Sequence, residues 1–121
     1  MPINNAPPPN GTARVIHSFE VFYKSVYQLS DQLPKRDRFG IWATIEQVAL
    51  EVFALLIEAA FLPKATKQRP LLEARVKIEV LKRLIRTTHS LNILPQKHYL
   101  LLEQQLIAIS KEVGGWIKFL Q

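Results

Sequence analysis

The most apolar stretch of the chain runs from Arg38 to Leu62, RFGIWATIEQVALEVFALLIEAAFL, and its apolar residues recur at a helical period. On a helical wheel these residues cover far more than the stripe of an ordinary surface helix, so only a narrow polar strip remains. We therefore expect a helix buried on most sides, with Glu51 and Glu58 at its solvent or inter-subunit edge. The residues expected to face the protein interior are Trp42, Ala49, Phe53 and Leu56.

The same stretch is long enough to cross a bilayer, which takes about 20 apolar residues. Glu46, Glu51 and Glu58 argue against that interpretation, because each would cost about 2–3 kcal/mol or more near the bilayer centre. The pattern therefore favours the central helix of a soluble bundle over a membrane span. Glu46 falls within the apolar arc, so we expect it to be a buried partner of Arg38 or of an arginine on a neighbouring helix.

Prolines divide the helical patterns from one another. Pro34 interrupts the first pattern, and Asp37 is the expected N-cap of the second. Pro63 ends the second helix, whereas Pro70 and Pro95 suit the first turns of the third and fourth, where a missing N–H costs nothing. The predicted helices span residues 14–32, 38–62, 70–91 and 95–119.

Short connections between four helices predict an all-α, antiparallel up-down-up-down four-helix bundle over residues 14–121. Residues 1–13 are rich in proline and asparagine, and we interpret them as a disordered N-terminal tail. The second helix has surplus apolar surface and the third carries two apolar stripes, so we expect a homo-oligomer, assembled as a ring. Gly114 and Gly115 interrupt the fourth helical pattern, which predicts close backbone approach by a neighbour.

The residue inventory offers little for catalysis. There is no cysteine, and the three histidines lie on different elements without the spacing of a helical metal site. Neither a glycine-rich phosphate loop nor a G-x-S-x-G turn is present. We expect no catalytic residues, no cofactor and no metal. The N-terminal residues do not resemble a signal peptide, so a cytoplasmic location is expected.

Charge is the remaining signal. The formal net charge is +6, and the stretch from Lys64 to Arg86 holds eight basic and two acidic residues, so the rest of the chain is neutral overall. Arg75, Lys82 and Arg86 share one helical face, a pattern suited either to phosphates, with sequence-tolerant and salt-sensitive binding, or to an acidic protein. The candidate nucleic-acid or partner-binding residues are Arg75, Lys82, Arg86, Lys77, Arg83, Arg69, Lys67 and Lys64.

Several short motifs, taken in order, resemble a known family. They are Leu33-Pro34-Lys35-Arg36 with Arg38-Phe39, then Ile45-Glu46, Leu55-Leu56-Ile57-Glu58-Ala59-Ala60 and Gly114-Gly115-Trp116-Ile117-Lys118. From Phe19 to Lys118 the chain resembles the accessory variability determinant proteins of diversity-generating retroelements. These belong to a broader group of small four-helix bundles that includes the proteins encoded by intervening sequences of 23S ribosomal RNA genes.

The resemblance implies a four-helix bundle that assembles as a basic pentameric barrel without catalytic activity. It implies nucleic-acid binding, with template repeat RNA and DNA as candidates, and association with the reverse transcriptase that performs mutagenic retrohoming. By the same resemblance Arg75, Lys82 and Arg86, flanked by Lys77 and Arg83, would contact nucleic acid or the polymerase complex. Two alternatives remain open from the residues alone: a helical protein-interaction scaffold and a ribosomal-RNA-associated bundle of the intervening-sequence type.

Overall fold

The computed structural model describes residues 9–121 and is helical almost throughout. Four long helices account for most of these residues, and short helical turns connect three of them. The long helices are α1 (Pro9–Leu29), α3 (Ile41–Phe61), α4 (Gln68–Ser90) and α5 (Gln96–Phe119), the one-turn helix α2 is Lys35–Arg38, and 3-10 turns lie at Ser30–Gln32 and Lys64–Thr66.

The long helices form a closed cycle of neighbours. α1 packs on α3, α3 on α4, α4 on α5 and α5 on α1. The connections span residues 30–40, 62–67 and 91–95, and connections of this length join neighbouring helices that run antiparallel. The predicted all-α four-helix bundle is confirmed by this arrangement.

One continuous apolar core runs along the bundle axis. Trp42 is fully buried, and its indole N–H donates a hydrogen bond of 3.0 Å to the Val26 carbonyl oxygen, which fastens α3 to α1. Phe53 is partly buried and stacks on the buried ring of Phe19 at 6.2 Å between centroids. The inward orientation predicted for α3 is therefore confirmed. The core residues of α3 are Trp42, Ile45, Ala49, Val52, Leu56 and Ala59.

The first helix is longer at its N-terminus than the pattern predicted. It begins at Pro9, five residues earlier than expected, and gives way to a 3-10 turn after Leu29. A proline is compatible with this start because the N–H groups of a first helical turn have no intrahelical partner. Residues 9–13 of the expected tail therefore belong to α1, whereas residues 1–8 lie outside the described part of the chain.

The predicted second helix is two helices, and Asp37 is not its N-cap. Asp37 lies inside α2, and the N-cap position of α3 is Gly40, which makes no side-chain cap hydrogen bond. The chain turns sharply here, and a Cβ at Gly40 would lie only 2.9 Å from the Arg36 carbonyl oxygen. A side chain at this position would collide with the backbone, so glycine allows the two helices to meet at an angle.

The carboxylates of α3 divide into two kinds. Glu51 and Glu58 are 40% and 41% exposed, in agreement with the predicted solvent edge, but both pair with cations of α4 in the same protomer. Glu46 was expected to pair with an arginine, but Arg38 lies 3.8 Å from Asp31 instead, and the described residues provide no cation for Glu46. The stretch Lys35–Phe61 is apolar and long enough to span a membrane, a test that the core helix of a soluble bundle also passes.

Candidate nucleic-acid interface

Three arginines of α4 lie outside the face of the helix that packs on the bundle. The core contacts of α4 come from a single stripe, Leu71, Ala74, Ile78, Leu81 and Ile85. At 100° per residue, Arg75, Arg83 and Arg86 fall outside that stripe, and all three are exposed. Within the described chain none of the three lies within 4.0 Å of a carboxylate. The rise of an α-helix separates Arg75 from Arg86 by about 16 Å, which is about five nucleotide steps of a B-form strand.

Two of the predicted cations pair with carboxylates of α3. Arg69 forms ion pairs with Glu58 of α3 and with Glu73 of its own helix. The Lys77 ammonium lies 3.0 Å from the Glu51 carboxylate, and the resulting hydrogen bond lowers the pKa of Glu51. These pairs are partly exposed, so solvent screens them and each contributes little to stability. The pairs with Glu58 and Glu51 join α3 to α4, so Arg69 and Lys77 add no free positive charge to the surface.

Lys82 is neutralised within α4. Its ammonium lies 2.9 Å from the Glu79 carboxylate, one turn away on the same face. We call the exposed arginines Arg75, Arg83 and Arg86 the arginine row. Glu79 therefore reduces the positive charge near the middle of the arginine row. Lys64, in the 3-10 turn before α4, is exposed and has no carboxylate partner in the described chain.

Lys67 is buried, and the structure places it away from the predicted interface. Only 7% of the residue is exposed, and its ammonium donates hydrogen bonds of 2.8 Å and 3.3 Å to the carbonyl oxygens of Ala59 and Ala60. The nitrogen also lies 5.9 Å from the centroid of the Trp116 ring. Burial lowers the pKa of Lys67. Lys67 therefore satisfies the last carbonyl groups of α3, which have no partner within the helix, and does not contribute to a surface site.

Arg86 belongs to a small polar cluster at the junction of α4 and α5. The Tyr99 hydroxyl donates a hydrogen bond to the Glu103 carboxylate, and the His89 ring stacks on Tyr99 at 4.3 Å between centroids. The bond to Glu103 raises the pKa of Tyr99, whereas the nearby positive charge of Arg86 opposes that shift. Arg86 therefore lies beside this polar cluster, and Arg75, Arg83 and Lys64 are exposed cations of the stretch that have no carboxylate partner in the described chain.

Exposed apolar side chains lie beside these cations. Val76 is 63% exposed, and Val80 and Leu91 are also exposed, so most of the second apolar stripe of α4 is not used within the protomer. Leu84 of the same stripe packs against the core. On α3 the Phe61 side chain is 86% exposed, and Leu50 is exposed on the same outward side. This combination of arginines and apolar side chains could bind an anionic polymer, another copy of the chain, or both.

The glycine pair of α5 has no packing role inside the protomer. A Cβ at Gly114 or Gly115 would meet no atom within 4 Å in the described chain. The close approach by a neighbour that was expected at this pair is thus not made by the other helices of the bundle. An explanation in terms of another subunit stays a prediction.

The histidines are scattered, as their positions in the sequence suggested. His17 is exposed, His98 lines a groove between α1 and α5, and His89 lies against Tyr99 with a ring nitrogen 3.4 Å from the Leu94 carbonyl oxygen. Within residues 9–121 no three histidine or carboxylate side chains come close enough together to hold a metal ion.

The fold and the surface together define a class of protein: a small four-helix bundle with a basic outward helix. The chain matches the model of the bAvd-like family over residues 15–120 and belongs to that family. The match confirms the resemblance to the accessory variability determinant proteins. No curated protein matches the chain.

Proposed function

We propose that the protein is a non-enzymatic accessory factor of a diversity-generating retroelement. In this role it binds nucleic acid through α4 and associates with the reverse transcriptase during mutagenic retrohoming. The observation that carries the proposal is the arginine pair Arg75 and Arg83, exposed on the outward face of α4 and free of carboxylate partners in the described chain. Membership of the bAvd-like family supports the same role.

Template repeat RNA is the proposed ligand, with DNA as a second substrate of the same surface. Guanidinium groups on one helical face neutralise phosphates without reading bases, so such contacts give affinity and little sequence preference. The protein would act in the cytoplasm without a membrane, cofactor or metal.

A homopentamer is the proposed assembly. Exposed apolar side chains on α3 and α4, among them Phe61 and Val76, form more apolar surface than an isolated bundle needs. Large apolar surface on a protein usually marks an interface. A ring would bury part of this surface and repeat the cations of α4 around its circumference. Light scattering at micromolar concentration tests this step, and a monomeric mass would contradict it.

Salt-dependent RNA binding tests the nucleic-acid part of the proposal. Fluorescence anisotropy with a structured RNA between 50 and 200 mM salt should show a steep loss of affinity, because each phosphate contact contributes about 0.7–0.9 to the slope of log K against log salt. The double variant Arg75→Gln/Arg83→Gln should reduce this slope. Lys77→Gln is the matched control, because Lys77 is already paired with Glu51, and it should leave the slope nearly unchanged. A flat response of the parent protein would refute nucleic-acid binding by α4.

Association with the polymerase needs a separate measurement. Co-purification of the tagged protein with the reverse transcriptase of the same element, with and without nuclease treatment, separates direct contact from contact through RNA. Arg75→Glu/Arg83→Glu should weaken the complex. If the variant loses the polymerase although the parent protein binds no RNA, the basic face recognises an acidic protein surface instead.

A further inference from the structure

A small cavity at the corner between α1 and α3 combines features that the basic face of α4 lacks. Its volume is about 270 Å³, and residues from the end of α1, the following turn, α2 and α3 line it. No residue of α4 is among the lining residues, so this corner is separate from the arginine row. Ligand pockets for drug-sized molecules usually measure about 300–1,000 Å³, so the cavity suits a single ring system.

Two exposed aromatic side chains line the cavity. Tyr27 is 64% exposed and Phe39 is 70% exposed, so both rings are accessible from solvent. The guanidinium carbon of Arg38 lies 5.4 Å from the centroid of the Phe39 ring. Unpaired bases stack on aromatic rings and on arginine planes, and each stacked base contributes substantially to the affinity for single strands.

The polar groups of the cavity are incompletely paired. Glu46 has no ion-pair or hydrogen-bond partner in the described chain, although burial raises its pKa. The Nε–H of Arg38 is buried without an acceptor, and the Nη1 of Arg38 is 3.8 Å from the highly exposed Asp31 carboxylate. Buried polar groups in folded proteins are nearly always hydrogen-bonded, so the buried Nε–H of Arg38 is a donor open to an external ligand. The Glu46 carboxylate of the same cavity is partly exposed and is free to accept hydrogen bonds from that ligand.

We propose that this cavity binds one unpaired guanine base of a single-stranded nucleic acid, stacked against Tyr27 and Phe39, with Glu46 accepting hydrogen bonds from the base. The inference rests on the proposed function, since it presupposes that the protein binds nucleic acid. Guanine fits because N1–H and N2–H₂ are two adjacent donors for the two oxygens of a carboxylate, and its O6 and N7 are acceptors for an arginine. Uracil offers one donor between two carbonyl groups, which would repel a carboxylate. Lys35 of α2 is exposed and is available for a flanking phosphate.

The test compares two RNA decamers by fluorescence anisotropy: oligouridine, and oligouridine with one central guanosine. The parent protein should bind the guanosine-containing decamer about five-fold or more tightly, the lower range of discrimination for one bidentate contact to a base edge. Glu46→Gln keeps the shape of the side chain but replaces one acceptor with a donor, so the ratio of the two affinities should fall towards one. Tyr27→Ala and Phe39→Ala alter exposed side chains, so the fold is retained, and both should weaken binding of the guanosine-containing decamer about five-fold or more.

Arg75→Gln is the matched control for this site. It should lower the affinity for both decamers equally and leave the ratio of the two affinities unchanged, because Arg75 contributes only to phosphate neutralisation. If the parent binds both decamers equally and Glu46→Gln does not change the ratio, the base pocket is refuted while nucleic-acid binding stands. If the parent binds neither decamer nor structured RNA, the proposed function fails as well. A change in oligomeric mass on Tyr27→Ala, without a change in the affinity ratio, would identify the corner as a protein interface and overturn the inference.

Discussion

The buried Lys67 gives the sharpest stability prediction. Lys67→Met keeps most of the volume and length of the side chain but removes the ammonium that bonds the carbonyl oxygens of Ala59 and Ala60 at 2.8 Å and 3.3 Å. Both carbonyl groups belong to the last turn of α3 and would then have no donor in the described chain. The variant should therefore unfold more easily than the parent, even though a charged residue has been replaced by an apolar one.

The expected magnitude follows from two opposing effects. Hydrogen bonds to a charged group contribute about 1.5–3 kcal/mol each, and the favourable position of a cation at a helix C-terminus adds about 0.3–1 kcal/mol. Against this, burial disfavours the charged ammonium, which is why the pKa of Lys67 is lowered, and methionine does not carry that cost. We expect a net loss of about 2–3 kcal/mol in the free energy of unfolding, which lowers Tm by about 6–15 °C in a domain of this size.

Thermal and urea unfolding followed by circular dichroism measures this loss. Lys64→Met is the matched control, because Lys64 lies three residues earlier and is exposed, so its Tm should stay within about 2 °C of the parent. RNA affinity should be unchanged in the folded Lys67→Met protein. If the Tm of Lys67→Met equals that of Lys64→Met, the capping role is refuted. A selective loss of RNA binding by Lys67→Met would show that Lys67 contributes to the nucleic-acid interface.

Three further predictions concern backbone and charge. Gly115→Ala should stabilise the protein by about 0.5–1 kcal/mol, because glycine inside a helix is unfavourable and the added Cβ meets no atom within 4 Å in the described chain; an unchanged or lower Tm would contradict this. Gly40→Ala should destabilise it, because the new Cβ would lie 2.9 Å from the Arg36 carbonyl oxygen; a Tm equal to that of the parent would show that the turn relaxes at no cost. Burial raises the pKa of Glu46 above its ordinary value of 4.5, so the folded state binds the carboxyl proton more tightly than the unfolded state does. The stability that this proton contributes is lost as pH rises through the raised pKa. The unfolding free energy of Glu46→Gln relative to the parent should thus increase as pH rises from 4.5 to neutrality, and a constant difference across urea titrations at several pH values would count against it.

The local pattern of the sequence was sufficient for the elements of the bundle. Pro63, Pro70 and Pro95 lie within about two residues of observed helix boundaries, because the constraints that proline imposes act on adjacent residues. In α5, apolar residues spaced three or four positions apart along the chain reach the core, as a helical period requires: Leu102, Leu106, Ile109, Val113 and Trp116. The local pattern missed the break at Gly40, since the hydrophobic period continues through the turn.

The sequence by itself determined the helices, their inward faces and the concentration of positive charge between Lys64 and Arg86, because periodicity and composition are properties of neighbouring residues. Only the tertiary structure decided which cations remain free. Glu51 and Glu58 reach Lys77 and Arg69 across the contact of α3 with α4, and Lys67 turns inward to the end of α3. Charge neutralisation and burial depend on distances between helices, which a one-dimensional pattern does not contain.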